Sequence, residues 1–448
     1  MRETLIYNFL RISEIPRLSG NEEKIANFFV DVAKINNLYF FKDDNNNVYI
    51  RKKGNIDSKP VALQAHLDMV CVKKKNSKHD FITDGIEVLI DGDRVTAKDT
   101  SLGADQGVGL TMMLTLLEDD TLRHPDLEFL FTTEEETTFN GAITFPYDKV
   151  ESKRLINLDN ANDDSVLVGA DGDICNEYRF QGDLIKNDFP SYKISIDGFP
   201  GGNSGENIDL SENNAITTMA MLLKDKDIFL NSINGGTFEN DLATSCEVII
   251  HTILDVGEIF KDLNTKIEKV NSGYSFSEKD TKSIIDEILN LKCGYLTNNG
   301  ASGNLGMIRT KGNMVTINYI IRSIDEAELE EISDKGKELN NKFQANEIYR
   351  DATWRVNKES DLLSEYKSIY FNEYNEYPKE EIGHCGYECS SIKKRIDGLD
   401  IISIGSSIEK YHTVEETTYI SSWIKVYNLL VKLIGLLWFI HERNFERG

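Results

Sequence analysis

Residues 61–70 read VALQAHLDMV, a short apolar run typical of a β-strand that leads directly into His66 and Asp68. Helix-like segments lie at 21–35, with apolar residues on one face, and at 108–119, which reads VGLTMMLTLLED. Other strand-like runs are VYI at 48–50, LEFLFT at 127–132, LINL at 155–158 and LDIISIG at 399–405. Strands that alternate with helices predict a layered α/β sheet.

The chain is long enough for two domains. It has 448 residues, whereas a single domain typically takes about 100–200. Near Tyr192 a second series of strands and helices begins, with strand-like KISIDG at 193–198 and MVTINYIIRS at 314–323. We therefore expect an inserted second domain at residues 187–374 and a discontinuous first domain at residues 1–186 and 375–448.

Composition and charge argue against several classes of protein. The formal net charge is −25, and so many carboxylates would be repelled by nucleic acid and by an anionic membrane surface. The most apolar stretch, 426–440, contains Lys432 and is shorter than a membrane-spanning helix needs, so we expect a packed terminal helix. The first residues lack the order of a signal peptide, and the six cysteines form no CxxC pair. These features predict a cytoplasmic protein.

Acidic and histidine side chains recur just after predicted strands. In open α/β sheets, ligands and catalysis collect at the carboxyl ends of the strands, so residues far apart in the chain can share one cleft. A further acidic residue lies among the glycines of SLGADQGVGL at 101–110, just before a helix. The residues concerned are His66, Asp68, Asp105, Glu134, Glu135, Glu136, Asp159 and His412.

Each of these residues has an ordinary structural explanation when taken alone. Asp105 could cap a helix, Asp159 could form a turn, and the three glutamates could be a solvated charge run. Together, however, two histidines and three carboxylates suit a pair of Zn²⁺-like ions, with one carboxylate spanning both. Asp68 is placed to hold the tautomer of His66, and the glutamate run can supply both a ligand and a proton-accepting base.

With these residues in view, the chain resembles the aminoacyl-histidine (Xaa-His) dipeptidases. They are a branch of the di-zinc metallopeptidases that includes carnosinases, peptidase T and glutamate carboxypeptidases. The resemblance spans nearly the whole chain and implies a mixed-sheet α/β catalytic domain with an inserted α/β lid domain. It depends on HLDMV (66–70), SLGADQGVGL (101–110), TTEEETTFNGA (132–142), NLDNANDDSVLVGADGD (157–173), GGNSG (201–205), GNLG (303–306), HCGYECS (384–390) and HTVEE (412–416).

The resemblance implies a role for each residue of the site. His66, Asp105 and Asp159 would hold one metal ion, and Asp105, Glu136 and His412 would hold the other, with Asp105 bridging. Glu135 would be the general base acting on the metal-bridging water, and Asp68 would orient His66. The cofactors implied are two divalent ions, zinc first, with manganese or cobalt as alternatives.

The sequence departs from the family pattern where substrate contacts are expected. Asn203, in GGNSG, stands where the family has a histidine that stabilises the oxyanion, and it could instead complete a turn. Asn240 lies in ENDLATSC. The family has arginines close to this asparagine, whereas this sequence has acidic or neutral residues at those positions. Arg322 could clamp a substrate carboxylate or be an ordinary surface residue. Further pocket candidates, in HCGYECS, are His384, Gly386 and Glu388.

These observations predict a metal-dependent dipeptidase acting on small peptides, with Xaa-His dipeptides favoured by the resemblance. A tripeptidase, a carboxypeptidase or an amidohydrolase of N-acylated amino acids would use the same ligands. A binding protein that has lost catalysis is the alternative that Asn203 favours. A nucleotide-binding protein is disfavoured, because the glycines at 103–109 lack the Lys-Ser/Thr of a phosphate loop. Relatives of this type often dimerise through the inserted domain, so a homodimer is a further hypothesis.

Overall fold

The computed structural model describes residues 1–261, 265–338 and 342–445, and side chains within these ranges except those of 338 and 436–445. It divides into two compact units. The first comprises Met1–Gly169, Val356–Ile382 and Tyr387–Gly448, and the second comprises Ala170–Arg355 and Gly383–Gly386.

The bounds of the elements are as follows. The helices are α1 Arg2–Ser13, α2 Glu23–Ile35, α3 Ala104–Glu118, α4 Asn140–Thr144, α5 Ala215–Leu223, α6 Val256–Ile259, α7 Glu278–Asn290, α8 Glu326–Glu338, α9 Asp361–Tyr374, α10 Glu388–Arg395 and α11 Ile420–Phe445. The first strands are β1 Tyr39–Lys42, β2 Val48–Lys52, β3 Val61–His66, β4 Val88–Asp91, β5 Arg94–Ala97, β6 Leu127–Thr132, β7 Arg154–Asn157 and β8 Ser165–Ala170. There follow β9 Gly172–Gln181, β10 Leu184–Lys186, β11 Ser191–Ile196, β12 Phe229–Gly235, β13 Cys246–His251, β14 Thr265–Val270, β15 Tyr274–Phe276, β16 Gly294–Tyr295, β17 Ser302–Lys311, β18 Met314–Ser323 and β19 Gln344–Asp351. The last are β20 Lys379–Gly383, β21 Asp400–Ser403, β22 Ile408–Glu409 and β23 Thr417–Tyr419.

The first unit is built on a mixed sheet, as the sequence predicts. Its strand order is β1-β2-β6-β3-β7-β21-β8-β20. The central strands β6, β3, β7 and β21 run parallel, whereas β1 and β2 are antiparallel additions at one side. β3 and β6 are buried along their whole length, which explains why their sequences are continuous apolar runs.

Helices α1, α2, α3 and α11 supply most of the core against this sheet. Phe29 of α2 stacks on Phe131 of β6 with ring centroids 4.1 Å apart, and Phe9 of α1 lies 4.7 Å from Trp423 of α11. α3 is apolar on nearly every side, which is typical of a helix enclosed by its neighbours.

The expected terminal helix is present as α11, which begins at Ile420, directly after the short strand Thr417–Tyr419. Its side chains from Val426 to Ile434 are mostly buried in the core, and Lys432 pairs with Glu373 at 2.5 Å. The side chains of 436–440 lie outside the described set. Within the described ranges, no helix is both long enough and apolar enough to span a bilayer.

The second unit contains an antiparallel sheet of order β14-β11-β13-β12-β17-β18-β9-β19, with β16 added to β17. Its core includes apolar residues of α5, α7 and the strands. The unit begins at Ala170, earlier than the predicted boundary at 187, because β9 pairs along its length with both β18 and β19. It ends near Arg355 rather than at 374, since α9 packs in the first unit, where Ser360 Oγ donates to Asp400.

Lys52 ties the sheet of the first unit to the end of α3. Its Nζ donates to the carbonyl oxygens of Leu116, Leu117 and Asp119 at 3.0, 3.2 and 2.7 Å, and the side chain is buried. A cation at a helix C-terminus satisfies carbonyls that have no partner within the helix and is favoured by the helix dipole.

We expect Lys52→Met to lower the free energy of unfolding by about 1–3 kcal/mol, because buried carbonyl oxygens lose their donor. The measurement is urea denaturation followed by circular dichroism. Lys53→Met, at the exposed neighbouring position, is the matched control and should stay within about 0.5 kcal/mol of the wild type. Equal stability of the two variants would contradict this role for Lys52.

Candidate metal centre

The carboxyl ends of β3, β6 and β7 meet at one edge of the sheet. The parallel register pairs His66 with Thr132 and Gln64 with Asn157. Residues that follow these strands therefore emerge side by side, which brings His66 close to Glu135 and Asp159. Parallel pairing has converted three separate stretches of sequence into one site.

Asp105 lies between the two histidines. Its Oδ1 is 3.3 Å from Nε2 of His66, and its Oδ2 is 3.3 Å from Nε2 of His412. Each imidazole also faces a second carboxylate, Asp159 at 3.6 Å from His66 and Glu136 at 3.0 Å from His412. One ligand atom each of His66, Asp105 and Glu136 lie within 4.8 Å of one another. A carboxylate shared by two imidazole–carboxylate pairs is suited to two cations.

Asp68 supports His66 from behind. Its Oδ1 lies 3.4 Å from Nδ1 of His66, and the carboxylate accepts hydrogen bonds from Ser19 Oγ at 2.7 Å and from the backbone N–H groups of Glu135 and Glu136 at 3.1 and 3.2 Å. These hydrogen bonds, together with His66, hold the pKa of Asp68 below its usual value despite complete burial. Asp68 therefore fixes the tautomer of His66 and also positions the glutamate turn.

Glu135 is the carboxylate of the turn that points towards His66 without pairing closely with it. One of its oxygens lies 3.9 Å from Nε2 of His66, and its side chain is only 14% exposed. The turn depends on Glu134, which has a left-handed backbone with φ of 54°. Burial, followed by repulsion from Glu136 and Asp159, raises the pKa of Glu135 well above its ordinary value.

The pKa values of the cluster show a shortage of positive charge. Burial, reinforced by nearby carboxylates, raises the pKa of both Asp159 and Glu136. Burial alone would lower the pKa of His412, but hydrogen bonds with Asp105 and Glu136 outweigh it and raise the pKa to about 10. Protons offset part of the negative charge, and divalent cations can replace them, since imidazole and carboxylate are ligands of zinc and related ions.

Three expected substrate residues come together within the second unit. Ser204 Oγ donates to the carbonyl of Asn240 at 2.7 Å and accepts from Arg322 at 2.9 Å. Next to Ser204, the Oδ1 of Asn203 accepts from the N–H of Gly205 at 2.7 Å, so this side chain does complete a turn.

Arg322 is only 3% exposed, and its Nε lies 3.9 Å from Asp173. The alternative that Arg322 is an ordinary surface arginine is therefore wrong. Its partners Ser204 and Asp173 explain how the guanidinium is accommodated inside the unit.

The residues of HCGYECS are divided between the two units. His384 belongs to the second unit, where Nδ1 lies 2.5 Å from Asp171 and Nε2 lies 3.0 Å from Ser302 Oγ. Both of its ring nitrogens thus face protein groups, and a substrate contact through either would displace one of them. Gly386, also in the second unit, is half-buried.

Glu388 belongs to the first unit and is buried. It accepts hydrogen bonds from Gln64 at 2.6 Å and from Thr132 at 2.8 Å, both on strands that lead into the site. Burial raises its pKa to about 8. These contacts place Glu388 beneath the strand ends that carry His66 and the glutamate turn.

Several residues around the cluster were not predicted from sequence. Arg17, Ser19 and Glu22 come from the segment after α1, and their polar side chains contact the ends of β3 and β6. Gln106 donates to Asp159 at 2.5 Å. Glu416 binds the loop before α3. Two of these residues lie in motifs quoted above, Gln106 in SLGADQGVGL and Glu416 in HTVEE, where the sequence analysis assigns roles only to Asp105 and His412.

Known proteins resemble the chain over nearly its full length. It is 29% identical to the cytosol non-specific dipeptidase of Escherichia coli (strain K12) across 95% of this chain and 96% of that protein. The crystal structure of aminoacylhistidine dipeptidase from Vibrio alginolyticus superposes with a TM-score of 0.80 at 27% identity, covering 96% of each chain. Aminopeptidase PepT from Bacillus cereus shares the fold, with a TM-score of 0.61 at 14% identity over 98% of this chain and 99% of that one. No family model matches.

The raised pKa of His412 leads to a prediction for the pH dependence of stability, measured in the presence of a chelator so that no metal ion is bound. Because the folded pKa is about 10 and a free imidazole has about 6.5, its ion pairs stabilise the fold fully below about pH 6.5 and lose this effect as the pH rises through about 10. We expect the Tm difference between wild type and His412→Gln to shrink from about pH 7 to about pH 10. His79→Gln, whose ring packs on Phe81, is the control. A pH-independent difference would contradict the ion pairing.

The identification depends on the agreement of three independent findings. The mixed sheet with a second α/β unit matches solved peptidases, the chain is similar from end to end to a dipeptidase, and histidines and carboxylates gather at the strand ends. The chain is a metal-dependent peptidase that is similar over nearly its full length to the aminoacyl-histidine dipeptidases.

Proposed function

We propose that this chain is a cytoplasmic two-metal dipeptidase that hydrolyses small peptides, with Glu135 as the general base. The observation that carries the proposal is the position of the Asp105 carboxylate, with an imidazole Nε2 3.3 Å from each oxygen and Glu135 beside His66. The cytoplasmic location is supported by the similarity to a cytosol dipeptidase.

The donor set supports two divalent ions. His66, Asp105 and Asp159 would hold one, and Asp105, Glu136 and His412 the other. When bound, such ions polarise the scissile carbonyl and lower the pKa of the attacking water towards ~7. Zinc suits this mixture of imidazole and carboxylate, and manganese and cobalt suit it as well.

Glu135 would move the proton. Its carboxylate accepts a proton from the attacking water and later delivers it to the leaving amine. Repulsion from Glu136 and Asp159 contributes to its raised pKa, and this repulsion is relieved when those carboxylates act as ligands. Asp68 accepts a hydrogen bond from the backbone N–H of Glu135 and lies 3.4 Å from His66, so it links the backbone of the base to the imidazole.

The substrate class proposed is dipeptides with a free amino terminus, Xaa-His dipeptides included. The named activities of the relatives, non-specific dipeptidase and aminoacylhistidine dipeptidase, support it. A tripeptidase, a carboxypeptidase or an amidohydrolase would cleave longer peptides or N-acyl amino acids instead. The proposed substrate contacts are Asn203, Asn240, Arg322, His384 and Gly386 in the second unit and Glu388 in the first. A homodimer remains a hypothesis from the resemblance.

The central test is Glu135→Gln. We expect it to retain about two ions per chain and to lose about 10²–10⁴-fold in kcat, because the amide cannot accept the proton. Glu134→Gln, the adjacent glutamate, is the matched control and should keep its activity. Metal content is measured by elemental analysis. Turnover is measured with Ala-His, Gly-Leu, a tripeptide and an N-acetyl amino acid as substrates. Turnover of the N-acetyl compound alone would exclude the dipeptidase function, and wild-type protein without bound ions would exclude a two-metal site.

The proposed role of Asn203 in stabilising the oxyanion can be tested separately from its role in the turn. Asn203→Asp keeps an oxygen that accepts from Gly205 N–H, but the carboxylate has lost the N–H₂ donor. If the amide stabilises the oxyanion, we expect an unchanged Tm and a fall in kcat of about 10²-fold. Asn207→Asp, in the same turn, is the control. Unchanged kcat in Asn203→Asp would assign Asn203 to the turn alone.

A further inference from the structure

A buried carboxylate four residues after His412 binds the loop that carries Asp105. Glu416 is 3% exposed. One of its oxygens accepts from the N–H groups of Leu102 at 2.7 Å and Gly103 at 2.9 Å, and the other accepts from Ala104 at 2.8 Å and Asp105 at 3.2 Å. The same carboxylate thus holds four consecutive backbone amides more than 300 positions away.

The amides of Leu102 and Gly103 precede α3 and those of Ala104 and Asp105 belong to its first residues, so none of the four has an acceptor within the helix. A carboxylate satisfies them and is favoured by the positive end of the helix dipole. Burial raises the pKa of Glu416, and the hydrogen bonds from the loop oppose that rise. Its two oxygens each receive two N–H groups, which leaves them no capacity to bind a metal ion as well. Glu416 is therefore not a ligand.

Arg17 holds the opposite side of the same loop. Its guanidinium donates to the carbonyl of Gly103 and, at 2.5 Å, to that of Asp68. It is 3% exposed. Gly103 has φ of 67°, and a Cβ there would lie 2.6 Å from the guanidinium, so the close approach requires glycine. The Gly103 peptide is fixed between an anion on its N–H side and a cation on its carbonyl side.

We propose that Glu416 is a positioning residue that fixes the Asp105 backbone, so that its carboxylate lies between His66 and His412 before any cation binds. The inference depends on the proposed two-metal function. It gives a role to Glu416, which is not among the proposed metal ligands. Groups that orient ligands typically change metal affinity by about 10–100-fold when removed. Arg17 acts on the same loop from its carbonyl side.

The test compares Glu416→Gln with Glu415→Gln. Glu415 is the adjacent glutamate, 66% exposed and paired with Lys410, so the second variant makes the same change in charge outside the loop. In Glu416→Gln the amide nitrogen cannot accept, so about two of the four N–H groups lose their partner. We expect about 10–100-fold weaker zinc binding in competition with a chelator and an altered absorption spectrum of the cobalt-loaded protein. Glu415→Gln should match the wild type in both measurements.

The outcomes distinguish this inference from the proposed function. Zinc affinity and a cobalt spectrum in Glu416→Gln equal to those of Glu415→Gln would overturn the positioning role and leave the peptidase function standing. A wild-type protein that binds no cation would overturn both. If Glu416→Gln does not fold, as seen by circular dichroism, Glu416→Asp takes its place, because it keeps the charge but its shorter side chain cannot hold the same four N–H groups. Weaker zinc binding there supports the role, and unchanged binding overturns it.

Discussion

The structure of the first unit is governed by the need to hold several carboxylates close together in a buried place. Asp68, Asp105, Glu135, Glu136 and Asp159 surround His66 at distances of 3.3 to 3.9 Å or lie next to residues that do. Such crowding opposes folding unless positive charge compensates it. Without cations, protons on the two histidines and on some carboxylates provide that charge. Divalent ions at the proposed site would compensate the same carboxylates, so crowding of these groups would favour cation binding.

Much of this cluster could be predicted because regular secondary structure builds it. Parallel strands align their carboxyl ends, so the apolar runs that end at His66, Thr132 and Asn157 indicate which polar residues meet. Asp105 and His412 could be named as candidates, but their places in the ligand set came only from the resemblance, because a loop and an irregular segment carry them. Sequence periodicity does not report where such segments go in three dimensions.

Two of the residues that sequence reasoning missed, Arg17 and Glu416, bind backbone groups. Arg17 donates to carbonyl oxygens and Glu416 accepts from N–H groups, and every part of the chain offers such partners. The second unit shows the same difficulty in its sheet. β9 contains Asp173, Asn176 and Glu177, an unpromising sequence for a central strand, yet it pairs on both sides because Arg322 and Ser333 lie within reach of its polar side chains.

The residues proposed for metal binding and those proposed for substrate contact belong largely to different units. All the proposed metal ligands and Glu135 belong to the first unit, whereas Asn203, Asn240 and Arg322 belong to the second. A change such as asparagine in place of histidine in the GGNSG turn can alter stabilisation of the oxyanion without disturbing cation binding. Because Asn203 already uses its oxygen to close the turn, only its N–H₂ group is available to substrate. That group carries no charge, so the oxyanion stabilisation proposed for it would depend on the geometry of a neutral hydrogen bond, which the turn sets.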